Sequence, residues 1–169
     1  AARVRQLEQQ RRAGTLRTVD VDGPLAPADD ARLRFIGRLR TPFKTRGDCP
    51  RQGSFDGPEC RVELDPRLAP ALDGIERSET IELLYWLDRS RRDLLTQSPR
   101  GGRELRGTFS LRSPMRPNPI GSSRVKLERR EGAVLVVRGL DCLDGTPLLD
   151  IKPVRCDHAR RRPSGTGPE

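Results

Sequence analysis

Apolar residues in this chain recur mostly at every second position, in short runs separated by glycine and proline. In LRFIGRLR (33–40), Leu33, Phe35, Gly37 and Leu39 alternate with Arg34, Ile36, Arg38 and Arg40, predicting a strand with one mostly apolar face. CRVELD (60–65) predicts a second strand, DPRLAPALDG (65–74) a short helix, and IELLYWLD (81–88) the most continuously apolar strand. SRRDLLTQSPRGGRE (90–104) is polar and basic and reads as a connection, with GTFSLRS (107–113) a strand after it. Two further strands, 122–127 and 133–138, flank a turn at 130–132. DGTP (144–147) is another turn, and LLDIKP (148–153) resumes extended structure with Leu149 and Ile151 on one face.

The ends differ from this body. RVRQLEQQRRAG (3–14) is rich in helix formers and stops at Gly14, and VDGPLAPADD (21–30) has a linker's composition. CDHARRRPSGTGPE (156–169) reads as a basic, disordered tail. The expected organisation is an N-terminal helix and linker over 1–32, a body over 33–155 and a tail over 156–169. The expected fold is mainly β: a small barrel-like antiparallel or mixed sheet with a short helix and an appended N-terminal helix.

Three segments interrupt the strands with groups suited to holding a ligand. RSPMRPNPIG (112–121) carries three prolines, which fix φ and remove donors, so it is a stiff loop presenting Arg112, Arg116 and Asn118. PRQGSFDG (50–57) offers the Gln52 amide, Ser54, and glycines, Gly53 among them, that permit close backbone approach. The DGTP turn offers its backbone groups, the Asp144 carboxylate and the Thr146 hydroxyl, with Asp150 and Lys152 close behind. Taken singly, each is also an ordinary turn or a solvated charge.

Charge and composition narrow the chemistry. A formal net charge of +9, from 33 basic against 24 acidic residues, favours a polyanionic partner such as nucleic acid. The four cysteines, Cys49, Cys60, Cys142 and Cys156, show no CxxC spacing and read as reduced thiols of a cytoplasmic protein. A metal shared by Cys156 and the lone His158 is the weaker reading, and no metal site is expected. One histidine near the tail argues against Ser-His-Asp or Cys-His catalysis. Phosphate-loop and dinucleotide fingerprints are absent, as is an apolar run of membrane-spanning length. Group transfer from an activated donor, which depends more on alignment than on proton shuttling, survives these exclusions.

In order along the chain, IGRLRTPFK, PRQGSF, RGTFSLRSPMRPNPIGSS and GLDCLDGTPLLDIKP resemble the blocks of the tRNA N6-threonylcarbamoyladenosine methyltransferase family, over roughly 35–153. The resemblance implies a β-barrel enzyme that uses S-adenosyl-L-methionine, forms a homodimer and methylates the modified adenosine beside the anticodon of tRNA. It implies that Gln52, Gly53, Ser54, Asp88, Arg89, Arg112, Leu143, Asp144, Gly145, Thr146 and Pro147 contact the cofactor. It names no general base. The chain departs from the family where a Phe-Ser-His-Leu-Trp stretch is replaced by Ser78, Glu79, Thr80, Ile81 and Glu82. Met115 and Val154 also replace the residues usual at their positions. Two alternatives therefore stay open: a methyltransferase of this fold with a small-molecule acceptor, and a module that binds cofactor or RNA without turnover.

Overall fold

The computed structural model describes residues 18–20, 32–98 and 104–154. The predicted helix over 3–14, the linker over 21–30 and the tail from 156, with Cys156 and His158, lie outside the described residues. Numbered in chain order, the strands are β1 (Thr18–Asp20), β2 (Gly37–Arg40), β3 (Glu59–Leu64), β4 (Thr80–Trp86), β5 (Leu94–Gln97), β6 (Arg106–Gly107), β7 (Ile120–Glu131), β8 (Val134–Arg138) and β9 (Thr146–Pro153). Six of them close into a barrel in the order β2-β3-β8-β7-β4-β9, with every pair antiparallel. β1, β5 and β6 form a small second sheet.

Closure follows from the alternation in the sequence. Leu39, Val62, Ile81 and Leu83 are fully buried between more exposed neighbours on their strands, and Leu135 and Leu148 join them in the interior. The outer wall is covered by ion pairs such as Arg40–Glu63, Arg61–Glu131 and Arg129–Glu59. Antiparallel pairing throughout has one consequence for function. The end of β2, the start of β3, the end of β8, the start of β7, the end of β4 and the start of β9 all lie at one end of the barrel. The β2–β3 loop (41–58), the β8–β9 loop (139–145) and the long excursion from β4 to β7 (87–119) therefore share that mouth.

Several expectations are corrected. The first strand spans only Gly37–Arg40; Leu33 and Phe35 are exposed, and Ile36 packs against the core instead. The helix near 65–74 is a 3-10 helix, Pro66–Leu72, because Pro66 and Pro70 lack the donors an α-helical ladder needs. The connection at 90–104 contains β5, with Leu94 buried, and β5 also pairs with β1 in the appended segment. The strand expected at 107–113 survives only as β6. Thr108–Ser110 is a 3-10 turn in which Thr108 Oγ1 donates to Leu94 O and Ser110 Oγ to Gly107 O, a side-chain alternative to ladder bonds. In β9, Tyr85 pairs with Leu148 but Leu84 with Asp150, so Leu149 is a bulge. The bulge shifts the phase, and Leu148 rather than Leu149 shares the core with Ile151.

Candidate active site

The turn after β8 is fastened to the loop after β2. Asp144 N donates to Phe43 O at 2.8 Å and Gly145 N to Leu39 O at 2.8 Å. Thr41 Oγ1 donates to Cys142 O at 2.9 Å, and Thr146 Oγ1 to Leu143 O at 2.6 Å. Both Asp144 oxygens are engaged: Oδ1 accepts from Thr41 N at 3.2 Å, and Oδ2 from Lys44 Nζ at 2.6 Å. The Lys44 contact, then the Thr41 amide, holds the Asp144 carboxyl below its ordinary range. Asp144 is thus turned toward its own chain, as an aspartate at the head of a tight turn tends to be.

The Gln52–Gly53–Ser54 segment lies directly on this turn. A Cβ on Gly53 would stand 1.6 Å from Gly139 O, so the two backbones touch and only glycine fits. Arg138 Nη1 reaches Gly57 O at 2.6 Å, pinning the far side of the same loop. Gln52 and Ser54 are exposed. Arg46 Nη2 donates to Arg89 O at 2.6 Å, which brings the exposed Asp88–Arg89 pair against the β2–β3 loop.

The proline-rich loop is anchored at the same mouth. Leu87 N donates to Pro119 O at 2.8 Å, and Arg92 Nε to Pro117 O at 2.8 Å while its guanidinium stacks on Trp86. Its two arginines have different fates. Arg116 Nη2 turns inward to Leu111 O at 2.7 Å and Thr108 O at 3.2 Å, closing the loop on itself. Arg112 is exposed and has no hydrogen bond or ion pair with any described residue. Asn118 is exposed, its carbonyl accepting from Ile120 N.

Not every candidate joins this cluster. Asp150 and Lys152 pair with each other at 2.6 Å on the barrel's outer wall, opposite Leu84 and Glu82 and away from the mouth. Pro147 is buried in β9. The divergent stretch 78–82 enters β4 at the barrel's other end: Ile81 is core, and Glu82 accepts from Ser122 Oγ. The replaced residues therefore do not border the mouth within this chain. Burial pushes the Cys60 thiol up to about 11 and Cys142 up to about 12, leaving both as protonated core groups. No metal-binding cluster occurs among the described residues, and no helix there is long and apolar enough to cross a membrane.

Sequence reasoning overlooked a group under these loops. Tyr85 Oη lies 2.7 Å from Ser123 Oγ and donates to Asp141 Oδ1 at 3.0 Å, while Ser123 Oγ donates to the same oxygen at 3.1 Å. The register puts Tyr85 opposite Gly121, where a Cβ would meet the ring at 2.0 Å. Burial, and then the Asp141 charge, raises the tyrosine's pKa, so it stays a donor. The usable signal is the first aspartate in LDCLD, Asp141: only Asp144 precedes Gly-Thr, where an aspartate satisfies its own turn.

With this geometry in hand, similarity decides the family. The model of the tRNA-methyltransferase O N-terminal domain matches residues 38–158. The chain belongs to the tRNA-methyltransferase O family. Among relatives of this family member, VirR of Rhizobium radiobacter, a probable S-adenosyl-L-methionine-binding protein, is 56% identical over 140 residues, 83% of this chain and 80% of VirR. The putative S-adenosylmethionine-dependent methyltransferase RcsF of Pseudomonas aeruginosa is 38% identical over 125 residues, 70% of this chain and 52% of RcsF. The crystal structure of TrmO from Pseudomonas aeruginosa superposes with a TM-score of 0.60 at 31% identity, covering 82% of this chain and 63% of that one. The chain thus spans most of VirR but less than two thirds of the TrmO structure, and the mainly β barrel is the fold of the tRNA-methyltransferase O family.

Proposed function

We propose that the chain is an S-adenosyl-L-methionine-dependent N-methyltransferase with its cofactor at the loop-bearing mouth of the barrel. Its proposed acceptor is N6 of threonylcarbamoyladenosine beside a tRNA anticodon. The observation that carries this is convergence: segments 52–54, 88–89 and 143–147, far apart in sequence, meet at one end of the barrel, and Arg112 stands on the excursion that leaves and re-enters the barrel at that end. The cofactor supplies a methyl group on a sulfonium, activated before it reaches the protein. The residues present suit such a molecule, since Arg112 offers an unpaired guanidinium to a carboxylate and Gln52 and Ser54 are exposed beside the 139–145 loop. Gln52, Gly53, Ser54, Asp88, Arg89, Leu143, Gly145, Thr146 and Pro147 line or support this place. Asp144 is assigned to bracing the turn through Lys44, and Arg116 and Asn118 to forming the proline loop.

What the protein contributes is alignment. Prolines in 112–121 and backbone contacts between loops fix the donors before a ligand arrives, so little ordering entropy is lost on binding. Exposed Arg51, Arg89 and Arg112 at the mouth lack ion pairs among the described residues, whereas Arg40, Arg61 and Arg129 on the outer wall are matched by carboxylates. The mouth thereby presents positive charge to an RNA backbone. A homodimer and a cytoplasmic location complete the proposal. The apolar Phe109, 80% exposed, offers surface for a second copy, to be checked by sedimentation equilibrium.

Arg112→Ala is expected to weaken S-adenosylmethionine binding roughly tenfold, the effect of losing one charge-assisted contact. Calorimetric titration measures this, and unchanged affinity contradicts the assignment. The function itself is tested by incubating the protein with methyl-labelled cofactor and tRNA that carries threonylcarbamoyladenosine but lacks its N6-methyl group. Label in the modified adenosine is the expected result. Cofactor binding without transfer to tRNA would instead favour a small-molecule acceptor or a non-catalytic module.

A further inference from the structure

Asp141 is a half-buried carboxylate without a cation, whereas Asp48, Asp56 and Asp88 on the same loops are exposed and keep their hydration. Asp144 has a lysine at 2.6 Å, and Asp93 an arginine at 2.6 Å. Asp141 has two neutral hydroxyls on Oδ1, while Oδ2 accepts no hydrogen bond from any described residue and no described cation pairs with it. The site is half-buried in a chain of net charge +9, where a pairing arginine would be easy to supply. A carboxylate drawn partly out of water loses hydration that two hydroxyls only partly replace, so it gains from a cation brought by a ligand.

Its place fits that use. Asp141 lies two residues past Gly139, on which Gly53 packs, and next to Cys142, whose carbonyl Thr41 holds, and its charge helps raise the pKa of Cys49, in the β2–β3 loop, after burial. Tyr85 rises from the barrel core beneath it, and Ser123 belongs to the neighbouring strand β7. Two hydroxyls from two strands thus hold Oδ1 and fix the direction of Oδ2. We propose that Asp141, held by Tyr85 and Ser123, faces the sulfonium of bound S-adenosylmethionine and makes the site prefer the charged cofactor over its uncharged product, S-adenosylhomocysteine. Tyr85 and Ser123 are positioning residues. The preference also helps turnover, because loss of the charge loosens the product from the carboxylate.

This rests on the cofactor assignment above, and the test separates the two. Affinities of the full chain for S-adenosylmethionine and S-adenosylhomocysteine are measured calorimetrically for wild type, Asp141→Asn and Asp141→Ser, with folding followed by thermal melting. Neutralising Asp141 is expected to lower the ratio Kd(S-adenosylhomocysteine)/Kd(S-adenosylmethionine) about tenfold, equivalent to about 1.4 kcal/mol. Tyr85→Phe, which keeps the charge but removes one of the two hydroxyls that aim it, is expected to lower the ratio about threefold, between wild type and the neutral variants. Should both neutral variants fail to melt cooperatively, the wild-type Asp141 carboxylate 13C resonance decides, moving with S-adenosylmethionine and far less with its product. A ratio unchanged by neutralisation, an equal loss for both ligands, or equal resonance shifts would overturn the proposal while leaving the cofactor site standing. A wild-type chain that binds neither ligand would overturn both.

Discussion

Replacing Gly53 with alanine is expected to weaken S-adenosylmethionine binding about a hundredfold while the barrel stays folded, since displacing an aligning group by about 1 Å can cost that much. The new Cβ would be 1.6 Å from Gly139 O and 2.4 Å from Gly139 C, and both obstacles are backbone. Neither can rotate away as a side-chain tip can. Gly139 is itself constrained by a φ of 113° and lies against the Arg124 and Val125 backbone of β7. The yielding partner is therefore the 50–57 loop, which moves off the mouth with Gln52 and Ser54. Because that loop lies outside the barrel ladder, melting should fall by only a few degrees. Calorimetric titration beside a melting curve separates the effects; wild-type affinity in Gly53→Ala would show that the loop has no part in binding.

The second large effect falls on stability. Gly121→Ala is expected to destabilise the protein by about 3 kcal/mol, the upper end for overpacking a tightly packed interior. The Cβ would lie 2.0 Å from Tyr85 Cε2 and 2.6 Å from Cδ2 and Cζ. Tyr85 is only 3% exposed, and its hydroxyl is tied to Ser123 and Asp141, so the ring has nowhere to go without breaking that group. Denaturant unfolding measures the loss, which corresponds to about 10 °C in Tm. The cause can be isolated by a double-mutant cycle. In a Tyr85→Leu background the same substitution should cost less than about 1 kcal/mol, because the clashing ring is gone. A full penalty in that background would place the strain elsewhere.

These two glycines show how much the sequence disclosed. Alternation within 60–65 and the apolar runs at 81–88 and 133–138 marked barrel strands, as did 122–127 across the turn from the last of these. The pattern failed where a local feature overrode it. The Leu149 bulge reversed the phase of β9, and the Thr108 hydroxyl diverted its segment from the ladder. Proline 70 sits inside the short helix and tightened it into a 3-10 form.

The site was legible as segments and not as contacts. Composition singled out the proline loop, the Gly-rich loop and the Asp-Gly-Thr turn, and the closed antiparallel order brings them to one mouth. Nothing in the letters says that Arg116 turns inward while Arg112 stays free, or that Asp144 is spent on Lys44 while Asp141 lacks a cation. Those distinctions depend on which donors fall within about 3 Å after folding. Asp150 and Lys152 illustrate the limit from the other side, being adjacent in sequence to the turn yet on the outer wall.

The most direct measurement is a crystal structure of the protein with S-adenosylhomocysteine bound. The account predicts ligand density at the mouth, against the 52–54 backbone and the 141–147 turn, with the Arg112 guanidinium on the ligand's carboxylate. Density instead in the cleft at the opposite end, lined by Phe35, Arg38, Glu63 and Asp65, with the mouth left empty, would contradict it.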